Sequence, residues 1–186
     1  MHKFDPKHIE RLLRAERYTD IVPDKLLCSS GLKEGDRCAD VGCGPGFFTI
    51  PASGIVGKSG RVYAIDTQEE MLTALRKRGL PRNVEPVKSG EKKIPLPAGC
   101  ADFALLAYVF HETADKAGFL KEVRRIIRAG GVLLLIDWKK KKEEHGPPFG
   151  ERLSKATTLG FIEKAGFAVI KKTDLNSSHY RFLAVK

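Results

Sequence analysis

Apolar residues along the chain fall into two alternating patterns. Short, nearly continuous runs at 38–41, 62–65, 84–87, 102–107 and 132–136 read as strands covered on both faces. Between them the apolar positions recur at helical spacing, as in Met71, Leu72 and Leu75, and again in Phe119, Leu120, Val123, Ile126 and Ile127. This alternation predicts an α/β fold with a doubly wound, mostly parallel sheet, whose ligands lie at the carboxyl ends of the strands.

Capping and breaking residues bound the remaining elements. Asp5-Pro6 starts a first helix expected to run to about Tyr18, which either packs on the sheet or folds over the mouth of the site. A second helix follows Pro23, and a third starts at Gly46 with a bend expected near Ile50 because Pro51 removes one hydrogen bond. Thr67 and Glu70 have capping-box spacing at the next helix, Gly130-Gly131 is expected to end the helix before the fifth strand, and Gly166 the last one. Segments 167–174 and 180–185 form a closing antiparallel hairpin.

The candidate chemistry centres on residues 37–49, RCADVGCGPGFFT. A buried strand runs into Gly42, Gly44 and Gly46, where no side chain holds a ligand away, and Phe47 and Phe48 are expected to begin a helix whose first amides favour a negative group. A dinucleotide fingerprint needs a third glycine where Phe47 stands; the pattern here is D-x-G-x-G-x-G from Asp40 to Gly46. Asp66 ends the second strand, where a carboxylate can accept both hydroxyls of a ribose and disfavours a 2′-phosphate.

These residues resemble the class I S-adenosylmethionine-dependent methyltransferases, specifically the small single-domain type with a Rossmann-like sheet. The resemblance rests on DVGCGPG and Asp66, and extends to SGEKKIPLP (89–97), LLAYVFHE (105–112) and KEVRRIIRAGGVLLLID (121–137). It implies S-adenosylmethionine as cofactor, held around Gly42, Cys43, Gly44, Gly46 and Phe47, with Asp66 and its neighbour Thr67 at the ribose. It assigns the adenine to the segment after the third strand, Ser89, Gly90 and Glu91, with Phe110 beyond the fourth; the usual acidic residue directly after strand three is missing. Asp40 is expected either to meet the cofactor's ammonium group or to tie down the loop's own amides.

Composition narrows the class only slightly. A length of 186 residues, 42% hydrophobic and 30% charged, suits one soluble domain, and residues 1–20 carry no signal-peptide or membrane-spanning run, which points to the cytoplasm. Four cysteines without a C-x-x-C pair, Cys28, Cys38, Cys43 and Cys100, are read as reduced, with neither zinc nor disulfides. The formal charge of +10 admits RNA as a partner, but the basic residues lie opposite apolar helix faces as a solvated surface would.

Methyl transfer from a sulfonium is a direct displacement, so the protein needs few groups beyond those that hold the acceptor and remove its proton. His111-Glu112 and Asp137-Trp138 follow strands four and five and are the expected acceptor-side residues, with His111 as base or else only bonded to a neighbouring turn. The segment around His145 reads as a solvated connection, with closure as a lid the alternative, and GPPF (146–149) follows the wrong strand for a base-amino methyltransferase. The function reached is methylation of a small molecule. An RNA or protein acceptor, or a non-catalytic nucleotide-binding module, is the alternative.

Overall fold

The computed structural model describes residues 5–14 and 21–186. Seven strands form one sheet in the order β3-β2-β1-β4-β5-β7-β6. They span β1 Arg37–Val41, β2 Arg61–Asp66, β3 Val84–Lys88, β4 Ala101–Ala107, β5 Ile127–Trp138, β6 Ala168–Asp174 and β7 His179–Val185. The first five run parallel, and β7 pairs antiparallel with both β5 and β6. The order reverses between β1 and β4, and such a reversal opens a crevice at the strand ends.

The helices are α1 Ile9–Leu12, α2 Pro23–Ser29, α3 Thr49–Val56, α4 Glu69–Lys77, α5 Lys116–Ile126 and α6 Lys155–Lys164. Strand alternation divides the core between the two sheet faces. Cys38, Ala64, Phe103, Leu105 and Leu134 pack with Leu26, Ala52, Leu72 and Leu75 from α2, α3 and α4. Ala39, Val41, Ile65, Leu106 and Leu135 pack with Leu120, Val123 and Ile162 from α5 and α6. Burying both faces explains why the central strands are apolar at consecutive positions.

Several local expectations are corrected. The chain forms a 3-10 turn at Pro6–His8 before α1, which ends at Leu12; Tyr18 lies outside the described residues. Turns carry residues 44–48, so α3 starts at Thr49 instead of Gly46. Pro51 consequently falls in the first helical turn, where an amide has no required partner, and the cause for a bend is gone. The Thr67–Glu70 capping box does not form: Gln68 takes the N-cap position with no side-chain capping bond, and its amide donates to Asp66 Oδ1 at 2.9 Å. Gly130 and Gly131 lie inside β5, because the helix stops at Ile126 and the strand begins at once, with a register irregularity opposite Ala101–Phe103.

Candidate active site

The cofactor side is built largely from backbone. After β1 the loop turns back along β2, with the amides of Gly42 and Cys43 donating to Ile65 O at 2.8 and 3.0 Å. Gly44 N donates to Asp66 Oδ2 at 2.9 Å, and Ser89 N donates to Asp66 O at 2.9 Å, so loop, second strand and the segment after β3 are joined through one residue. Gly46 has φ 88°, and a Cβ there would come within 2.4 Å of Leu75 Cδ1. Glycine is therefore required both for the turn and for the approach of α4. Arg78, just past α4, donates to Pro45 O and Gly46 O at 2.9 and 3.0 Å and pins the loop from behind.

Two carboxylates lie beneath this loop. Asp40 is 2% exposed and accepts Thr49 Oγ1–H at 2.6 Å; the loop amides go to Ile65 and Asp66 instead. Burial pushes the Asp40 carboxyl up to about 7 against the Thr49 bond, with the charge of Asp66 adding to the rise. Burial also raises Asp66, opposed by the amides of Gln68, Gly44 and Thr67. Ionised carboxylate oxygens together offer about four acceptor positions, so these amides leave Asp66 capacity for a hydroxyl-bearing ligand.

The structure sorts the other expected cofactor residues. Phe47 is buried and packs edge-on to Phe48 at 4.9 Å, and Cys43 is buried with its thiol driven well above the ordinary range by desolvation. Phe110 is 0% exposed and packs against Phe161, so its ring belongs to the core and not to the crevice. Gly90 and Glu91 are exposed, with Gly90 N donating to Lys93 O; Thr67 O accepts the Lys88 ammonium. Leu12 of α1 lies 3.7 Å from where a Gly44 Cβ would stand, which places this short helix over the loop.

The residues expected on the acceptor side meet through side chains. His111 and Asp137, 5% and 1% exposed, meet with Nδ1 and Oδ1 2.7 Å apart, and Asp137 Oδ2 accepts His111 N at 2.9 Å. Asp137 Oδ1 also accepts Trp138 N at 2.8 Å, and this acceptor role makes Nδ1 the protonated nitrogen of a neutral imidazole. Nε2 makes no hydrogen bond among the described residues; the Glu112 carboxylate stands 3.8 Å away. Burial by itself would depress the histidine, but the bond to and charge of Asp137, followed by Glu112 and Glu151, hold it above its ordinary value.

Three residues absent from the sequence expectations complete this side. Tyr108 has φ 61° at the end of β4, a rare conformation for a bulky residue, and its ring lies 6.0 Å from Trp138 and 4.8 Å from His179. Trp138 and His179 are 4.3 Å apart, as their β5–β7 register dictates. Arg152 is 1% exposed and stacks over Trp138. The segment around His145, expected as a solvated connection, is thus organised about a buried guanidinium. An Arg between proline-rich loop and helix carries no sequence signature of burial; pairing Trp138 with the hairpin was the one available clue to His179.

Residues 39–135 match a family described as a methyltransferase domain. The crystal structure of a SAM-dependent methyltransferase from Aquifex aeolicus is similar with a TM-score of 0.92 and 40% sequence identity, covering 98% of both chains. Curated relatives include the ubiquinone/menaquinone biosynthesis C-methyltransferases UbiE of Pasteurella multocida (strain Pm70), 29% identical, and of Azotobacter vinelandii (strain DJ / ATCC BAA-1303), 30% identical, each over 162 residues. These alignments take in 83% of the chain but 56% and 60% of those proteins, so the chain spans less than two thirds of their length.

Proposed function

The chain belongs to the class I S-adenosylmethionine-dependent methyltransferases, and on that premise we propose that it methylates a small molecule whose acceptor group loses a proton to His111. The observation that carries the proposal is the buried His111–Asp137 pair, with Nδ1 committed to the carboxylate and Nε2 left without a hydrogen bond. Asp137 fixes the tautomer and stabilises the imidazolium once the proton has moved, as in other carboxylate-oriented histidine bases. The bound cofactor supplies an electrophilic methyl group. Asp66 and the Gly42–Gly46 backbone hold its ribose and amino-acid portions, and Asp40 lies near enough to Asp66 for their charges to interact. Tyr108 and Trp138 place aromatic surface just beyond the ends of β4 and β5, suited to a planar acceptor.

The relatives' names make a ring carbon activated by a phenolic hydroxyl the first acceptor to try, because deprotonating the hydroxyl makes the ring nucleophilic. The test supplies methyl-labelled S-adenosylmethionine with menadiol, a catechol, a primary amine, mixed RNA and unfolded protein in separate reactions. Label in a small molecule is the expected result. Incorporation confined to RNA or protein overturns the proposal. Among the described residues no helix is long and apolar enough to span a bilayer.

A further inference from the structure

Arg152 makes an unusual set of contacts for a fully buried cation. Its Nε donates to Pro147 O at 2.9 Å and its Nη1 to Lys141 O and Lys139 O at 3.0 and 3.5 Å. Nη2 donates to His145 O, and Nη1 also pairs with the Glu143 carboxylate. Every acceptor lies in residues 139–147, so one guanidinium gathers that segment into a strap, using the several fixed directions that only an arginine fork offers. The strap rests directly on the indole: Arg152 Cζ is 4.9 Å from the Trp138 ring, and a Cβ on Gly146 (φ 89°) would come within 2.7 Å of it. Its far side is anchored to the hairpin turn, where Ser178 Oγ donates to Glu143 Oε1 at 2.6 Å.

Trp138 leads from the strap to the reacting histidine. Its amide donates to the same Asp137 oxygen that meets His111 Nδ1, so a shift of Trp138 is felt by that carboxylate within one residue. We propose that Arg152 is a positioning residue for the acceptor side: by clamping the strap onto Trp138 it holds the Asp137 carboxylate where it orients His111. This rests on the reading of His111 as base. A guanidinium that only folded its own loop would leave the histidine untouched.

The two roles predict opposite signs. The groups that bear on His111 are Asp137 from β5, Glu112 from its own turn, Glu151 from the segment before α6, and Lys116 at the start of α5, whose Nζ donates to His111 O at 3.4 Å. Removing Arg152 deletes a cation and uncovers Glu143, and through charge alone both changes raise the titration midpoint of His111. A slackened bond to Asp137 lowers it.

The experiment follows the His111 ring resonances by NMR across pH in the whole chain, for wild type, Arg152→Met and Arg152→Lys, with His111→Gln to assign the signals. The expected result is a midpoint lowered by about half a pH unit or more in Arg152→Met. Trp138, the only tryptophan of the chain, should shift its emission to the red, with affinity for S-adenosylhomocysteine changed less than about twofold because the cofactor loop lies elsewhere. An unchanged or raised midpoint in folded Arg152→Met overturns the proposal. Should that variant fail to fold, Arg152→Lys decides by the same criterion, since it retains the charge and loses the fork. If His111→Gln keeps full turnover, the base reading fails while the titration still judges the clamp.

Discussion

The two sides of the crevice between β1 and β4 are made from different materials. On the side assigned to the cofactor, the amides of Gly42, Cys43, Gly44 and Ser89 fold the backbone onto β2 and Asp66, two strand-end carboxylates lie beneath it, and the loop comes from consecutive residues. On the side assigned to the acceptor the groups are side chains drawn from four separated segments: Tyr108 with His111-Glu112, Asp137-Trp138, Glu151-Arg152, and His179. Backbone sites tolerate exchange of most side chains, provided the glycines remain, and so suit a cofactor shared across a family. Side-chain sites change with single substitutions, and are where an acceptor is selected. The division predicts that variants on the two sides affect different measured quantities.

The largest effect should come from the acceptor side. His111→Ala is expected to lower kcat by something on the order of 10²–10⁴ while cofactor affinity stays nearly constant, because base catalysis is lost without touching the loop. In the wild-type enzyme kcat/KM should rise with pH through a midpoint above the ordinary 6.5 of histidine, since only the neutral imidazole accepts a proton and its folded value is raised. A parallel loss of turnover and cofactor affinity in His111→Ala would erase the distinction between the sides.

Asp40 tests the cofactor side through stability. Its folded carboxyl is raised to about 7 from 3.8, so the folded state holds this proton more tightly than the unfolded chain. Its contribution is complete below about 4 and is lost as pH rises to about 7. In apo protein, Asp40→Asn should therefore escape a loss on the order of 2–4 kcal/mol that wild type suffers between pH 5 and 8. Urea unfolding at both values measures it. Parallel behaviour of the two proteins would mean that Asp40 ionises as readily folded as unfolded.

A smaller effect is expected of Asp66→Ala. Loss of charge-assisted bonds to a ribose, roughly 1.5–3 kcal/mol, should weaken cofactor binding by about 10–100-fold and leave the His111 titration in place. Calorimetry with S-adenosylhomocysteine checks this, and unchanged affinity would remove the ribose assignment.

The contrast also explains what could be seen in the sequence. The mostly parallel sheet, hairpin and loop were legible because continuous apolar runs and glycines at fixed spacing are local signals of buried strands and tight turns. His111 and Asp137 were legible as strand-end neighbours, since adjacent parallel strands deliver their ends to one edge, but their bond depends on register and rotamer. A related choice of face was not legible: the 3-10 turn Phe110–Glu112 directs the Phe110 ring inward while His111 turns to β5. The start of α4 differs from the expected capping box because Asp66 accepts the Gln68 amide two residues on, and the N-cap falls at Gln68 instead of Thr67. Arg152 gave no signal because four of its five acceptors are backbone carbonyls, which sequence does not distinguish.

The finest test of the division concerns Glu151, adjacent to the clamp. Its Oε2 is buried without a hydrogen bond among the described residues, and its charge acts on His111 and Lys116. Among the carboxylates that raise His111, Glu151 contributes least, after Asp137 and Glu112. Glu151→Gln keeps the shape and removes the charge, so the histidine should lose its proton at a pH lower by a fraction of a unit. The rising limb of kcat/KM then moves towards acid, and turnover below the midpoint increases modestly even though a less basic imidazole is a slightly poorer proton acceptor. Cofactor affinity should not move. A limb displaced towards alkali, or one that stays fixed while cofactor affinity falls, would mean that Glu151 serves the cofactor side and that the crevice is not divided as described.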